Sequence, residues 1–247
     1  MTGSGTILVM AGAREAHGIV VRLRERGRDV IASLPEPERS FDPLPVPTRV
    51  GPFAHQMDLN DWMVAQKVTS VIDASHAFDA ELSCMAAMIC GARDLRYLRV
   101  LRPPWRASRL DTWNSYRSVK RAAQDIPPGA RVFSNTGRAT LDEFKGFRGR
   151  VLFLRQTQPQ TEPPPFKFVT YVEGTPPFSQ GDEEMLFREL RISRLICRNV
   201  GGSASISKLL AARRLGLPVA MIERPAPPPA STVVETVSEA LAWEANA

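Results

Sequence analysis

Residues 195–225, LICRNVGGSASISKLLAARRLGLPVAMIERP, read as strand, glycine loop, helix and strand. Leu195-Ile196-Cys197 is a short apolar run, Gly201-Gly202 break it, and Ser203 is placed to cap a helix. In that helix Ile206, Leu209, Leu210 and Leu215 recur at three-to-four spacing until Gly216 ends it. Pro218 then opens the apolar run Val219-Ala220-Met221-Ile222. A paired-glycine turn between a buried strand and a helix brings backbone N–H groups close to an anion at the positive end of the helix. The same pair also serves a tight βα connection that binds nothing.

The same alternation extends along the chain. Strands are expected at 6–10, 29–33, 70–73 and 96–101, and helices at 14–26, 54–66, 78–90 and 113–124. The loop after the second strand is rich in proline. Pro127-Pro128-Gly129 is read as the join between a domain of residues 1–128 and one of residues 129–247. The second series has strands near 132–133, 151–154, 168–172, 194–197 and 219–222, with helices near Leu141 and at 183–190, 203–215 and 234–243. Alternating strands and helices favour an α/β fold with two Rossmann-like domains, each a mostly parallel, helix-covered sheet, and a cleft between them.

Composition narrows the classes of function. At 247 residues and 43% apolar content the chain can build two cores. No apolar run approaches the roughly 20 residues of a membrane span, and MTGSGTILVMAGA lacks the pattern of a signal peptide, so no membrane partner and a cytoplasmic location are expected. Three cysteines, Cys84, Cys90 and Cys197, have no metal-ligand spacing, and no metal is expected. The net charge of +6 is spread along the chain, which suits a discrete anion. Arginines recur from Arg93 to Arg109, but Pro103-Pro104 interrupt any basic helix there, and no nucleic acid is expected.

In such sheets ligands gather beyond the carboxyl ends of the strands. The first loop there is Ala11-Gly12-Ala13-Arg14-Glu15, a reduced form of the dinucleotide fingerprint. The second is Asp73-Ala74-Ser75-His76, in which His76 is the one weak candidate for proton transfer. The third is Arg198-Asn199-Val200-Gly201-Gly202, followed by Lys208. Arg102, Arg138 and Arg155 stand at or near strand ends, and the planar arginine fork suits carboxylate or phosphate.

Taken together these segments resemble the precorrin-6A reductases of cobalamin biosynthesis. The resemblance is carried by Ala11-Gly12-Ala13-Arg14-Glu15-Ala16, Asp73-Ala74-Ser75-His76-Ala77-Phe78, Arg102-Pro103-Pro104-Trp105, Thr136-Gly137-Arg138, Pro177-Phe178-Ser179 and the quoted carboxy-terminal stretch through Arg224-Pro225. It implies an NADPH-dependent oxidoreductase that passes hydride to a macrocycle double bond of precorrin-6A, or of cobalt-precorrin-6A, giving precorrin-6B. The cofactor side would hold Gly12, Ala13, Arg14, Ser33, Arg39, Asp73, Ser75 and His76, with Arg198, Asn199, Gly201 and Gly202 from the second domain. Arg102, Arg138, Arg155 and Lys208 would meet the substrate's carboxylates. Arg39 would select the 2′-phosphate of NADPH, whereas Glu36 or Glu38 would favour NADH. Two rivals stay open: a non-catalytic homologue that binds nucleotide or tetrapyrrole, and an NAD(P)-dependent reductase of another substrate, for which Tyr116 and Lys120 have the usual spacing.

Overall fold

The computed structural model describes residues 5–36, 43–157 and 161–246, so the expected roles of Arg39 and Glu38 lie outside the described residues. The chain runs β1 (Thr6–Ala11), α1 (Glu15–Glu25), β2 (Val30–Leu34), β3 (Thr48–Val50), α2 (Gln56–Ala65), β4 (Val68–Ala74), α3 (Ala80–Ala92) and β5 (Arg96–Val100). It continues through β6 (Trp113–Tyr116), α4 (Val119–Gln124), β7 (Arg131–Ser134), a 3-10 helix (Arg138–Gly146), β8 (Val151–Gln156) and β9 (Val169–Glu173). The last elements are α5 (Gln180–Glu189), β10 (Arg194–Arg198), α6 (Ser207–Leu215), β11 (Val219–Ile222), β12 (Thr232–Val234) and α7 (Val237–Ala245).

Two compact units result, one of residues 1–103 with 225–247, the other of residues 104–224. The first carries an all-parallel sheet in the order β12-β5-β4-β1-β2-β3. That is the doubly wound 3-2-1-4-5-6 order, its sixth strand supplied by the chain after it leaves the second unit. The second sheet, β6-β11-β10-β7-β8-β9, is also parallel throughout. Its five strands β9-β8-β7-β10-β11 repeat the 3-2-1-4-5 order, with β6 added at the edge.

Burial follows from this topology. Every residue of β1 and β2 is buried, as expected of parallel strands covered on both faces. In α1, Ala16, Ile19, Val20 and Leu23 form one buried stripe against Val9, Ala32 and Leu34. Leu8 and Met10 point to the opposite face, into a cluster with Leu59, Met63, Ala86 and Ile89 of α2 and α3. In the second unit Phe133, Phe187, Leu195 and Leu209 lie at the centre, with the Phe133 and Phe187 ring centroids 4.9 Å apart. Each such side chain contributes on the order of 1.5–3 kcal/mol when fully buried.

Four expectations are corrected. The stretch expected as a helix at 113–124 is the strand β6 followed by α4, because Ser118 accepts a bond from Arg121 N and starts the helix there. The helix expected from 203 begins at Ser207, so Ser203 is not its cap. The helix expected from 234 begins at Val237 behind a Thr236–Glu239 capping box, and the residues before it form β12. Finally, the boundary does not fall at Pro127-Pro128-Gly129, which is a turn inside the second unit, where Ala130 N donates to Pro127 O at 3.3 Å.

Candidate functional site

In the first unit the strand order reverses between β1 and β4, and the loops leaving these two strands meet. Ala13 N donates to Ala74 O at 2.9 Å. A Cβ built on Gly12 would lie 2.9 Å from His76 N and 3.4 Å from Ser75 Cα, and Gly12 has φ +155°. Only a bare backbone fits there. Just beyond, Arg14 stands at the N-cap of α1 and makes no side-chain capping bond, and both Gly12 and Arg14 are exposed. A bare glycine leading to an uncapped helix N-terminus fits the diphosphate of a dinucleotide, whose negative charge the backbone N–H groups and helix dipole favour.

Beneath the second loop lies a buried polar network. The Asp73 carboxylate, fully buried, accepts bonds from Ser75 N at 3.0 Å, Tyr97 Oη at 2.6 Å and Arg99 Nη1 at 3.1 Å. Burial, and then the Asp73 charge, push the Tyr97 hydroxyl well above its ordinary range, so it stays a donor. Arg99 is buried as well; it donates through Nη1 to Asp73 O at 2.9 Å and Ser75 O at 3.2 Å, and through Nη2 to His76 O at 3.2 Å. The loop against Gly12 is thus fixed through its carbonyls by one guanidinium.

Among the residues expected on the cofactor side, Gly12, Ala13, Arg14, Ser75 and His76 come together here. Asp73 is turned inward, because a carboxylate at the end of a buried strand must be paired inside the fold. Ser75 is also buried, its Oγ 3.5 Å from Ser83 Oγ. His76 is half-buried, and its Nδ1 accepts a bond from Phe78 N at 3.3 Å, which in the neutral ring puts the hydrogen on Nε2. Ser33 stands one strand over, in register with Met10. Arg102 lies on this unit too, its Nε 3.5 Å from a Glu15 carboxylate oxygen at the start of α1. Sequence reasoning missed Tyr97 and Arg99; their signal is the i, i+2 pair on the strand beside Asp73, with Arg99 in register with it.

In the second unit the order reverses between β7 and β10. Gly201 and Gly202 both adopt left-handed backbone, with φ 70° and 76°. The Asn199 carboxamide accepts from Trp105 N at 2.8 Å and donates to Trp105 O at 2.9 Å, while Trp105 Nε1 donates to Gly202 O at 2.7 Å. Asn199 therefore holds Trp105 against the glycine loop, with both carboxamide atoms engaged by the Trp105 backbone. Trp105→Phe removes one of these bonds. It is expected to cost about 1 kcal/mol and to speed amide exchange at Gly201 and Gly202, measured by hydrogen–deuterium exchange.

Arg198 lies beside the β7 loop, its Nη2 3.8 Å from where a Cβ on Gly137 would stand. In that loop Ser134, Thr136 and Thr140 link their hydroxyls at 3.0 and 2.8 Å. Arg138 is exposed, 4.0 Å from Glu162. Lys208 is buried, donates through Nζ to Ser205 O, and sits 6.0 Å from the Trp105 ring centroid. Arg155, expected to meet substrate, is spent inside the unit: its side chain is 7% exposed, 2.7 Å from the buried Glu183 carboxylate, with its guanidinium 4.0 Å over Phe178. Burial pushes the Glu183 carboxyl up, and Arg155 and Lys208 pull it back.

The rival built on Tyr116 and Lys120 loses its geometry, since Tyr116 ends β6, its hydroxyl bonds Asp125, and Lys120 belongs to α4. Among the described residues no three His, Cys, Asp or Glu side chains group as a metal site, and no helix is long and apolar enough to cross a membrane.

Comparison with known proteins gives one family. The family profile described as Precorrin-6x reductase CbiJ/CobK matches residues 6–245. A precorrin-6A reductase of Rhodobacter capsulatus is 33% identical over 242 residues, covering 97% of this chain and 96% of that protein. One of Rhodococcus erythropolis is 34% identical, with 96% of each chain covered. The solved structure of a CobK precorrin-6A reductase superposes with a TM-score of 0.88 at 31% identity, covering 98% of this chain and 96% of that one. With the match spanning both units, this chain belongs to the precorrin-6x reductase family of cobalamin biosynthesis.

Proposed function

We propose that the protein reduces precorrin-6A to precorrin-6B with NADPH as hydride donor. The observation that carries this reading is the contact of the Gly12 loop with Ser75 and His76 at the β1–β4 reversal, in a chain whose full-length relatives are named precorrin-6A reductases. Membership in a reductase family implies a nicotinamide cofactor, which supplies the hydride. What remains for the protein is binding, orientation and exclusion of water.

In this reading Gly12, Ala13 and Arg14 hold the diphosphate through backbone N–H groups and positive charge, and Ser33 lies on the ribose side. His76 is the titratable group of the loop that meets Gly12, held in place through its carbonyl by Arg99. In the second unit Arg198 and Arg138, with the bare backbone of Gly201 and Gly202, suit the carboxylates of a tetrapyrrole-derived substrate. Lys208 adds positive potential beneath that loop from a buried position. A cobalt-containing form of the same macrocycle is the second reading, favoured by a relative of Priestia megaterium, named cobalt-precorrin-6A reductase, that is 24% identical over 237 residues.

The test is anaerobic oxidation of NADPH and of NADH by the purified protein, with precorrin-6A, with its cobalt form and with no macrocycle. Oxidation that requires the metal-free macrocycle and runs faster with NADPH is expected. Oxidation only with the cobalt form moves the assignment to the second reading. No oxidation by folded protein with either macrocycle favours a binding protein without turnover.

A further inference from the structure

We infer that Arg49 recognises the 2′-phosphate of the dinucleotide bound to the first unit, an inference that rests on the cofactor reading above. In a doubly wound sheet the adenosine ribose lies beyond the carboxyl end of the second strand. A carboxylate there accepts from the ribose 2′-hydroxyl and repels a 2′-phosphate, whereas an arginine accommodates the phosphate. Val30-Ile31-Ala32-Ser33-Leu34 contains no carboxylate.

What stands beside that end is β3. Ser33 is in register with Arg49 and Leu34 with Val50, so the Ser33 and Arg49 side chains occupy the same face at the carboxyl ends of neighbouring strands. The Arg49 guanidinium is already in place. Nη1 donates to Gly51 O, Nη2 donates to Pro52 O at 3.0 Å, and Cζ lies 3.8 Å from the Phe53 ring centroid. Phe53 in turn packs against Trp62 of α2, with centroids 5.7 Å apart. Gly51, at φ +123°, makes the turn that aims these carbonyls back at the arginine.

This arrangement differs from a surface arginine in two ways. First, the turn and the ring fix the guanidinium plane, so little side-chain entropy is lost when an anion arrives. Second, two carbonyls take two of the five N–H donors, and the residue is half-buried rather than enclosed, which leaves donors for phosphate oxygens. Glu36, exposed two residues past β2, brings negative charge to the same end of the sheet. Arg49 supplies the charge that lets a phosphate dianion bind despite it.

The experiment is calorimetric titration of NADP+, NAD+, 2′,5′-ADP and 5′-ADP into wild type, Arg49→Gln, Arg49→Lys and Arg39→Ala, with thermal melts to establish folding. Arg49→Gln is expected to weaken NADP+ and 2′,5′-ADP by roughly 10- to 100-fold while NAD+ and 5′-ADP stay within about twofold, and Arg49→Lys to restore part of the loss. Equal weakening of all four ligands would mean that Arg49 only shapes the turn or stacks on adenine, and overturns the inference. Unchanged NADP+ affinity in Arg49→Gln overturns it, as does a selective loss in Arg39→Ala instead. Wild type that binds NADP+ and NAD+ equally overturns the inference and leaves the cofactor reading standing. Wild type that binds neither removes both.

Discussion

Gly12→Val is expected to abolish dinucleotide binding while the protein stays folded. A Cβ at this position would approach His76 N at 2.9 Å and Ser75 C and Cα at 3.4 Å, all backbone atoms. These atoms have little room to move, because Arg99 holds the carbonyls of Asp73, Ser75 and His76 from below. The loop after β1 must therefore shift, and with it the N–H groups at the start of α1. Strain of this kind costs on the order of 1–3 kcal/mol, which the buried core around β1 tolerates. Affinity for NADP+, read by calorimetry, should fall by about 100-fold or more, with Gly12→Ala intermediate. Wild-type affinity in folded Gly12→Val protein would take this loop out of the site.

Arg155→Met is expected to have the largest effect on stability, about 3–5 kcal/mol at neutral pH, because it leaves the Glu183 carboxylate buried without its partner. The double variant Arg155→Met with Glu183→Leu should recover most of the loss, since the desolvated charge is then gone. The pH dependence follows from the carboxyl's raised pKa. Burial lifts it above the ordinary value of 4.5, and without Arg155 it rises further. A carboxyl whose pKa is higher folded than unfolded gives stability that is present below the unfolded value and lost as pH rises through the folded one. Arg155→Met should therefore lose less stability relative to wild type at about pH 5 than at about pH 8, measured by urea unfolding. An equal loss at both pH values would mean that Glu183 is not the stranded group.

The strand–glycine–helix alternation was legible because parallel strands buried on both faces are short apolar runs, and the loops that matter carry glycine. Three strands escaped that reading, all at sheet edges, the shortest-range of them Thr48–Val50 behind the proline-rich loop. Trp113–Tyr116 and Thr232–Val234 are edge strands whose partners, Val219–Ile222 and Leu98–Val100, lie far away in sequence. Pairing of that range leaves no local period to read. For the same reason the boundary between units was misplaced, since β12 brings the end of the chain back to the first sheet.

The candidate site divides in a similar way. Gly12, Gly201 and Gly202 were legible because their positive φ angles demand glycine. Asp73, Asn199 and Arg155 are polar residues at strand ends, as ligand contacts are, yet their partners Tyr97, Arg99, Trp105 and Glu183 come from other segments. Whether a polar side chain faces a ligand or a neighbour is decided by tertiary pairing, which one-dimensional spacing does not carry. Tyr97 and Arg99 show the converse: an aromatic and a cation alternating on a buried strand mark a partner carboxylate, here Asp73.

The most direct test of the reductase assignment is the fate of the hydride. Purified protein is incubated anaerobically with precorrin-6A and NADPH deuterated at nicotinamide C4 on the transferred face, each face being tried in turn, and the macrocycle is analysed by mass spectrometry. The expected product is a macrocycle that has gained two hydrogens, one of them deuterium, with one of the two labelled cofactors. A macrocycle of unchanged mass, with the NADPH intact and the protein folded, would contradict the assignment.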